Sequence, residues 1–278
     1  MSLKTKLAFA ALACGGLTAA DAGADTLPLW EAGAGIGVLD FAQYRGSNQY
    51  KTWVLPLPYL VYRGDFLKVD DRRMRGSFFR SDRVEVDLSV YGSPPVKDND
   101  ARRGMPDLDA TLEIGPALNI GLYRSDDRKE KLELRLPVRA VIATDLSHAD
   151  YVGLVFQPNL SFDVRDPAGF KDWNLGLFGS LVYTDRSYNR FFYQVAPEFA
   201  TVARSAYSPG GGYAGTQTII ALSTRYQRLW VGGFAKWDSV RGAAFANSPL
   251  VTAQNDFSYG IAVAWVFDES RTKVETDR

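Results

Sequence analysis

From Lys131 to Ile142 apolar and charged side chains trade places at nearly every step. Leu132, Leu134, Leu136, Val138, Ala140 and Ile142 share one parity, and Lys131, Glu133, Arg135 and Arg139 share the other. Neighbouring side chains of a strand point to opposite faces, so this spacing predicts a strand with one apolar and one charged side. A half-buried soluble sheet shows the same alternation. The run also has the length that crosses a bilayer at a tilt, roughly 9–11 residues.

The pattern recurs. It predicts strands over Trp30 to Val38, over Trp53-Leu55-Leu57-Tyr59-Val61 and over Val84-Val86-Leu88-Val90. Further strands are predicted at Leu108 to Ile114, Val152 to Phe162, Trp173 to Tyr183, Thr218 to Leu222, Leu229 to Trp237 and Phe257 to Phe267. Pro56 and Pro58 oppose the apolar face of the second strand, and each removes a ladder donor, which predicts an irregular first hairpin. Residues 66–80 read as one long interrupted strand, and Phe191 to Ala200 as a weaker one. Repeated alternation is the signature of a membrane barrel. The expected fold is therefore all-β: a single transmembrane antiparallel up-and-down β-barrel over residues 25–267, of about twelve strands, since bacterial barrels favour even counts.

Composition narrows the function classes. The chain carries 32 basic and 32 acidic residues among 278, which leaves no basic excess for nucleic acid. Lys4 and Lys6 precede a small apolar segment, and Ala20-Asp21-Ala22 and Ala22-Gly23-Ala24 offer small-residue cleavage sites, so residues 1–24 are expected to be a signal peptide. A lipoprotein reading of Ala11-Leu12-Ala13-Cys14 fits less well, because the apolar run before it is very short. Cys14 is the only cysteine, so the mature chain has neither a disulfide nor a thiolate metal site. The charged residues 268–278 are expected to form a disordered tail.

Two sets of residues carry candidate chemistry. Glu85, Asp87, Asp109, Glu113, Glu133, Arg135 and Arg139 come from consecutive strands and would share the inner face, with Arg225 and Lys236 adding basic groups on later strands. They read either as a charge-selective constriction or, preferably, as an internal ladder of cross-strand pairs. Trp53, Tyr59, Trp173, Tyr183, Trp237, Tyr259, Trp265 and Phe267 lie near strand ends and are expected to form a membrane-interface girdle against outer-membrane lipid. Ser147-His148 lacks an evident third orienting group for nucleophilic catalysis. Gly210 to Gly215 lacks the lysine and Ser/Thr of a phosphate loop. Neither a catalytic residue, a metal nor a cofactor is expected.

Several segments resemble the MltA-interacting protein (MipA/OmpV) family of outer-membrane proteins: Pro56-Leu57-Pro58-Tyr59 with Tyr62-Arg63-Gly64, Arg103-Gly104-Met105-Pro106-Asp107-Leu108-Asp109, Gly115-Pro116, Gly211-Gly212-Tyr213-Ala214-Gly215, Ser248-Pro249-Leu250-Val251, and the last strand to Phe267. The resemblance implies location in a Gram-negative outer membrane. It also implies a scaffold that holds a murein hydrolase and a murein synthase together there, with no catalytic motif of its own. The charged inner faces alone support an alternative, a porin-like channel for small solutes.

Overall fold

The computed structural model describes residues 26–63, 67–69, 74–76, 79–80, 83–145 and 147–275; the expected leader lies outside them. The strands are β1 (Thr26–Pro28), β2 (Trp30–Ala42), β3 (Tyr50–Arg63), β4 (Leu67–Val69), β5 (Met74–Gly76), β6 (Phe79–Arg80), β7 (Val84–Ser93), β8 (Ala110–Arg124), β9 (Glu130–Thr144), β10 (Ala149–Phe156), β11 (Asn159–Arg165), β12 (Trp173–Thr184), β13 (Gly212–Tyr226), β14 (Leu229–Ser239), β15 (Asn255–Glu269) and β16 (Lys273–Glu275). One 14-stranded sheet runs β5-β4-β3-β2-β15-β14-β13-β12-β10-β9-β8-β7-β6, and β11 pairs with β12 and β9. Strands β10 and β11 are halves of one strand interrupted at Gln157-Pro158, which is why both find the same two neighbours.

The expectation of a closed barrel is corrected here. The path has two ends, β5 and β6, and no ladder joins them among the described residues. The ends fall in the 66–80 stretch, where period two is lost around Asp70-Asp71-Arg72-Arg73 and strands shrink to two or three residues. Without sustained alternation, no long strand stands there among the described residues to complete a ring. The first hairpin differs from its expectation too. β2 and β3 pair without a register break from Trp30↔Tyr62 to Ala42↔Tyr50. Pro56 and Pro58 have the same parity, so both nitrogens face one side. The unbroken pairing with β2 leaves them on the other side of β3, where, among the described residues, β4 pairs with Tyr62 and Arg63.

Burial is inverted relative to a sheet around an apolar core. Ile36, Val54, Leu60, Ile220 and Ile261 are exposed, whereas Asp87, Glu113, Arg139, Asp238 and Asp256 of the opposite parity are buried. The exposed face carries aromatic side chains toward both ends: Trp30, Tyr62, Trp265 and Phe267 near the short turns, and Tyr183, Trp237, Phe257 and Tyr259 near the long loops. The inner face is not polar throughout. On β3, β13, β14 and β15 it gathers Leu57, Tyr59, Val61, Ala221, Trp230, Ala262, Ala264 and Val266 into an apolar cluster.

The connections are long at one end of the sheet and short at the other. Loops 43–49, 94–109, 185–211 and 240–254 lie at one end, with the short β9–β10 connection among them; the turns 125–129, 166–172 and 227–228 lie at the other with strands β1 and β16. The tail expected to be disordered instead supplies β16, which pairs with β1 from Thr26↔Glu275 to Pro28↔Lys273. Phe191 to Ala200, expected as a strand, begins inside helix α1 (Arg186–Tyr193) and continues through a 3-10 turn, Pro197–Phe199. Asp185 starts the helix by accepting the Tyr188 amide on its side chain at 2.9 Å.

Candidate functional site

The long loops pack on one another and on the inner face of the sheet, forming a cap. Its core joins Tyr44, Val96, Leu108, Phe192, Tyr193, Val240 and Phe245 from the loops to Val141, Val155, Val182 and Ala214 from the strands. Tyr193 stacks on Phe245 with ring centroids 3.6 Å apart. Polar side chains then tie loop to loop. The Tyr44 hydroxyl donates to the Leu250 carbonyl at 2.7 Å, and the Tyr193 hydroxyl to the Arg45 carbonyl at 2.9 Å. Arg102 donates to the carbonyls of Phe192 and Pro106, and Arg204 to those of Ala101, Arg103 and Phe199. Burial pushes the Tyr44 phenol up to about 12, against the pull of nearby Arg102, and pushes Tyr193 well above its ordinary value. These hydroxyls therefore stay protonated donors at physiological pH.

Beneath the cap a chain of charged and amide groups crosses the inner face. Glu113 of β8 accepts from Arg139 Nε of β9 at 2.8 Å, and Arg139 Nη2 donates to Gln157 Oε1 at 2.6 Å. Gln157 Nε2 donates to Gln217 of β13 at 2.8 Å, and Gln217 donates to Asp238 of β14 at 2.7 Å. Asp238 in turn takes Nε of Arg45, from loop 43–49, on both carboxylate oxygens at 2.9 and 3.0 Å. Asp238 is fully buried. Burial works against the charge of Arg45, but facing Asp238 outweighs it and raises the guanidinium further.

The seven acidic and basic residues expected to share the inner face do not form one cluster. Glu113 and Arg139 are in the chain just described. Arg135 reaches Asn119 at 2.6 Å and Asp87 at 3.5 Å. Glu133 pairs with Lys131 of its own strand at 2.7 Å. Glu85 is half-buried on β7, and Asp109 is exposed just before β8 starts, at the loop end and away from the pairs. Arg225 pairs with buried Glu31, and Lys236 lies 3.7 Å from Asp238. Arg45, Gln217 and Asp238 were missed. Arg45 sits in what reads as a plain turn, and only the parity shared by Lys236 and Asp238 hinted at the acid.

Of the expected girdle, Trp173 is half-buried and Tyr183, Trp237, Tyr259, Trp265 and Phe267 are exposed. Tyr59 is a correction: it points inward, 4% exposed, with its ring 6.1 Å from that of Trp230. Trp53 shares its parity and packs against the inner pair Leu39 and Leu55, with Lys51 over its ring. Strand-end position alone suggested both; parity decides the face.

Ser147 and His148 have a carboxylate beside them, but in the wrong order for catalysis. Asp145 accepts from the Ser147 hydroxyl at 2.7 Å and from the amides of Ser147 and His148 at 2.8 and 2.9 Å. A relay needs the acid on the far ring nitrogen of the base; here the acid accepts a hydrogen bond from the serine hydroxyl and closes a turn. The Ser147 hydroxyl, then the His148 and Ser147 amides, hold Asp145 down to about 2. A lowered carboxylate stabilises the turn fully above its ordinary value of about 4, and that contribution is lost as pH falls through the lowered value. NMR titration of the His148 amide should therefore show a midpoint near pH 2. A midpoint near the ordinary carboxylate value would mean the turn is not held this way.

The glycine loop offers no phosphate cradle. A Cβ on Gly211 would lie 2.8 Å from the Arg186 amide nitrogen, so the loop already covers the start of α1. Among the described residues no three His, Cys, Asp or Glu converge as metal ligands.

A family model described as "MltA-interacting protein MipA" matches residues 32–267. The chain belongs to this family. Two Vibrio proteins are related to this MipA-family chain at 23% identity over 222 residues, with 74% of the chain and 76% of each relative covered. They are outer membrane protein OmpV of Vibrio cholerae serotype O1 and outer membrane protein Omp26La of Vibrio anguillarum. A solved bacterial polysaccharide outer membrane secretin overlays 86% of the chain and 99% of its own, at 8% identity and a TM-score of 0.43. The chain is an outer-membrane protein of a Gram-negative envelope. Three of the segments that carry the family resemblance, 103–109, 211–215 and 248–251, meet in or beside the cap.

Proposed function

We propose that this protein is a scaffold of the outer membrane, with its apolar outer face against lipid and its partners bound at the exposed ends of the sheet. The observation that carries the reading is the polar chain from Glu113 to Arg45 under an apolar cap. Every link is a short hydrogen bond between side chains that occupy the interior. Charges paired in this way serve as structure, since removing either partner strands the other. The family description, an MltA-interacting protein, supports an enzyme partner; on this reading the scaffold holds a murein-cleaving enzyme together with a murein synthase.

Photo-crosslinking in cells tests this reading, with probes at exposed Arg128 and Lys171 on the turn end and Val202 on the loop end. Recovery of a murein hydrolase or synthase from either end is the expected result. Its absence from every position would remove the scaffold reading. The refolded protein in a planar bilayer is expected to be electrically silent. Steady, salt-dependent current that falls on Arg139→Ala would favour the solute channel instead.

A further inference from the structure

The exposed apolar face is interrupted by a hollow. On β14 the outward positions between Val231 and Trp237 are Gly233 and Ala235, while flanking positions hold Ile220 and Leu222 on β13 and Ile261 on β15. These side chains and Trp173 line a depression of about 410 Å³. Register places it in the aliphatic stretch between the Trp237 row and the Trp173 row. A second feature lies just past Trp173. The turns 166–172 and 227–228 carry exposed Lys171 and Arg228. Lys129 pairs with Asp166 at 2.7 Å, a carboxylate that Lys171 also acts on, and Lys129, Lys171 and Arg228 outnumber Asp166 and Asp172, so this rim carries one net positive charge.

We infer that the Gly233–Ala235 hollow and the Lys171/Arg228 rim form a binding site for one phospholipid of the leaflet at the turn end. One acyl chain fills the hollow and the phosphate meets the two cations. A hollow in a lipid-facing surface must be filled by something apolar, and a straight hydrocarbon chain fits where two side chains are missing. The basic rim selects a chain with an anionic head over a bare hydrocarbon. A single depression of about 410 Å³ suits a chain better than a second protein copy, which needs a broad complementary patch of about 800 Å² per partner.

The inference rests on the proposal that this face contacts lipid, and the test separates the two. The full-length mature protein is refolded into detergent, titrated with phosphatidylglycerol, and examined by native mass spectrometry. One lipid should be retained per chain. Ala235→Leu fills the hollow and should weaken retention about tenfold or more, as expected when two or more methylenes lose their contacts. Gly233→Leu is the less suitable variant, because a Cβ there lies 3.2 Å from the Gly260 carbonyl oxygen. Lys171→Ala with Arg228→Ala should weaken phosphatidylglycerol several-fold and leave diacylglycerol, which has no phosphate, unchanged. Equal retention by Ala235→Leu and the parent overturns the site. So does a dimer that Ala235→Leu abolishes, which would identify a second copy as the occupant. If the parent does not insert into liposomes at all, the lipid-facing reading itself fails.

Discussion

Asp238→Ala should lower the unfolding free energy by about 3–5 kcal/mol, the usual cost of removing one partner from a buried ion pair. The carboxylate is fully buried and receives Arg45 on both oxygens, Gln217 on one of them, and Lys236 at 3.7 Å. Its loss removes the acceptor shared by two cations and an amide, and leaves buried Asp256 as the carboxylate still within electrostatic reach of Arg45 and Lys236. The remaining guanidinium belongs to loop 43–49, so the effect should reach the cap: Tyr193 donates to the carbonyl of that same Arg45. Urea unfolding of the refolded protein, followed by tryptophan fluorescence, reads the effect directly. The double variant Arg45→Ala/Asp238→Ala should lose less than the sum of the single variants, because neither charge is then stranded. A loss below about 1 kcal/mol for Asp238→Ala would class the pair with exposed surface bridges and remove the structural role assigned to the polar chain.

Gly153→Val should detach helix α1 while the sheet persists. Gly153 has φ +141°, and a Cβ there would lie 2.3 Å from Asp185 Oδ1 and 2.5 Å from the Tyr188 amide nitrogen. Both atoms belong to the helix start, where Asp185 caps Tyr188. A β-branched residue meets a backbone conformation that only glycine adopts readily and also a collision with the cap bond, so several kcal/mol of local stability should go. The loop carries its own trypsin sites at Arg186, Arg190 and Arg204. Limited trypsinolysis should therefore cut the variant within 185–211 at least tenfold faster than the parent, with sheet circular dichroism retained. Unchanged cleavage would mean that α1 is held from elsewhere in the cap. Loss of the sheet signal as well would mean that cap and sheet fold as one unit.

Much of the sheet was legible in the sequence because strand periodicity is local. Period two in Lys131–Ile142 or Phe257–Phe267 needs only a dozen residues to reveal a strand and the two groups of side chains on its faces. The family resemblance was equally local, carried by short segments. The outer-membrane location followed from those segments and from the leader pattern.

What the tertiary structure alone decided depends on residues far apart in the chain. Parity divides Tyr59 from Leu60 but does not say that Tyr59 turns inward to Trp230. That follows from β13, β14 and β15 supplying an apolar patch on the inner face. Period two likewise says nothing about where a sheet ends, and among the described residues the path stops at the short strands β4, β5 and β6. The cap left the faintest trace in the sequence. Arg45 and Asp238 are 193 positions apart, Tyr44 and Leu250 are 206 apart, and each partner sits in or beside a loop that has no period to read. Local pattern sets which backbone conformation is favoured. The burial that makes these pairs strong exists only once distant strands have brought the loops together.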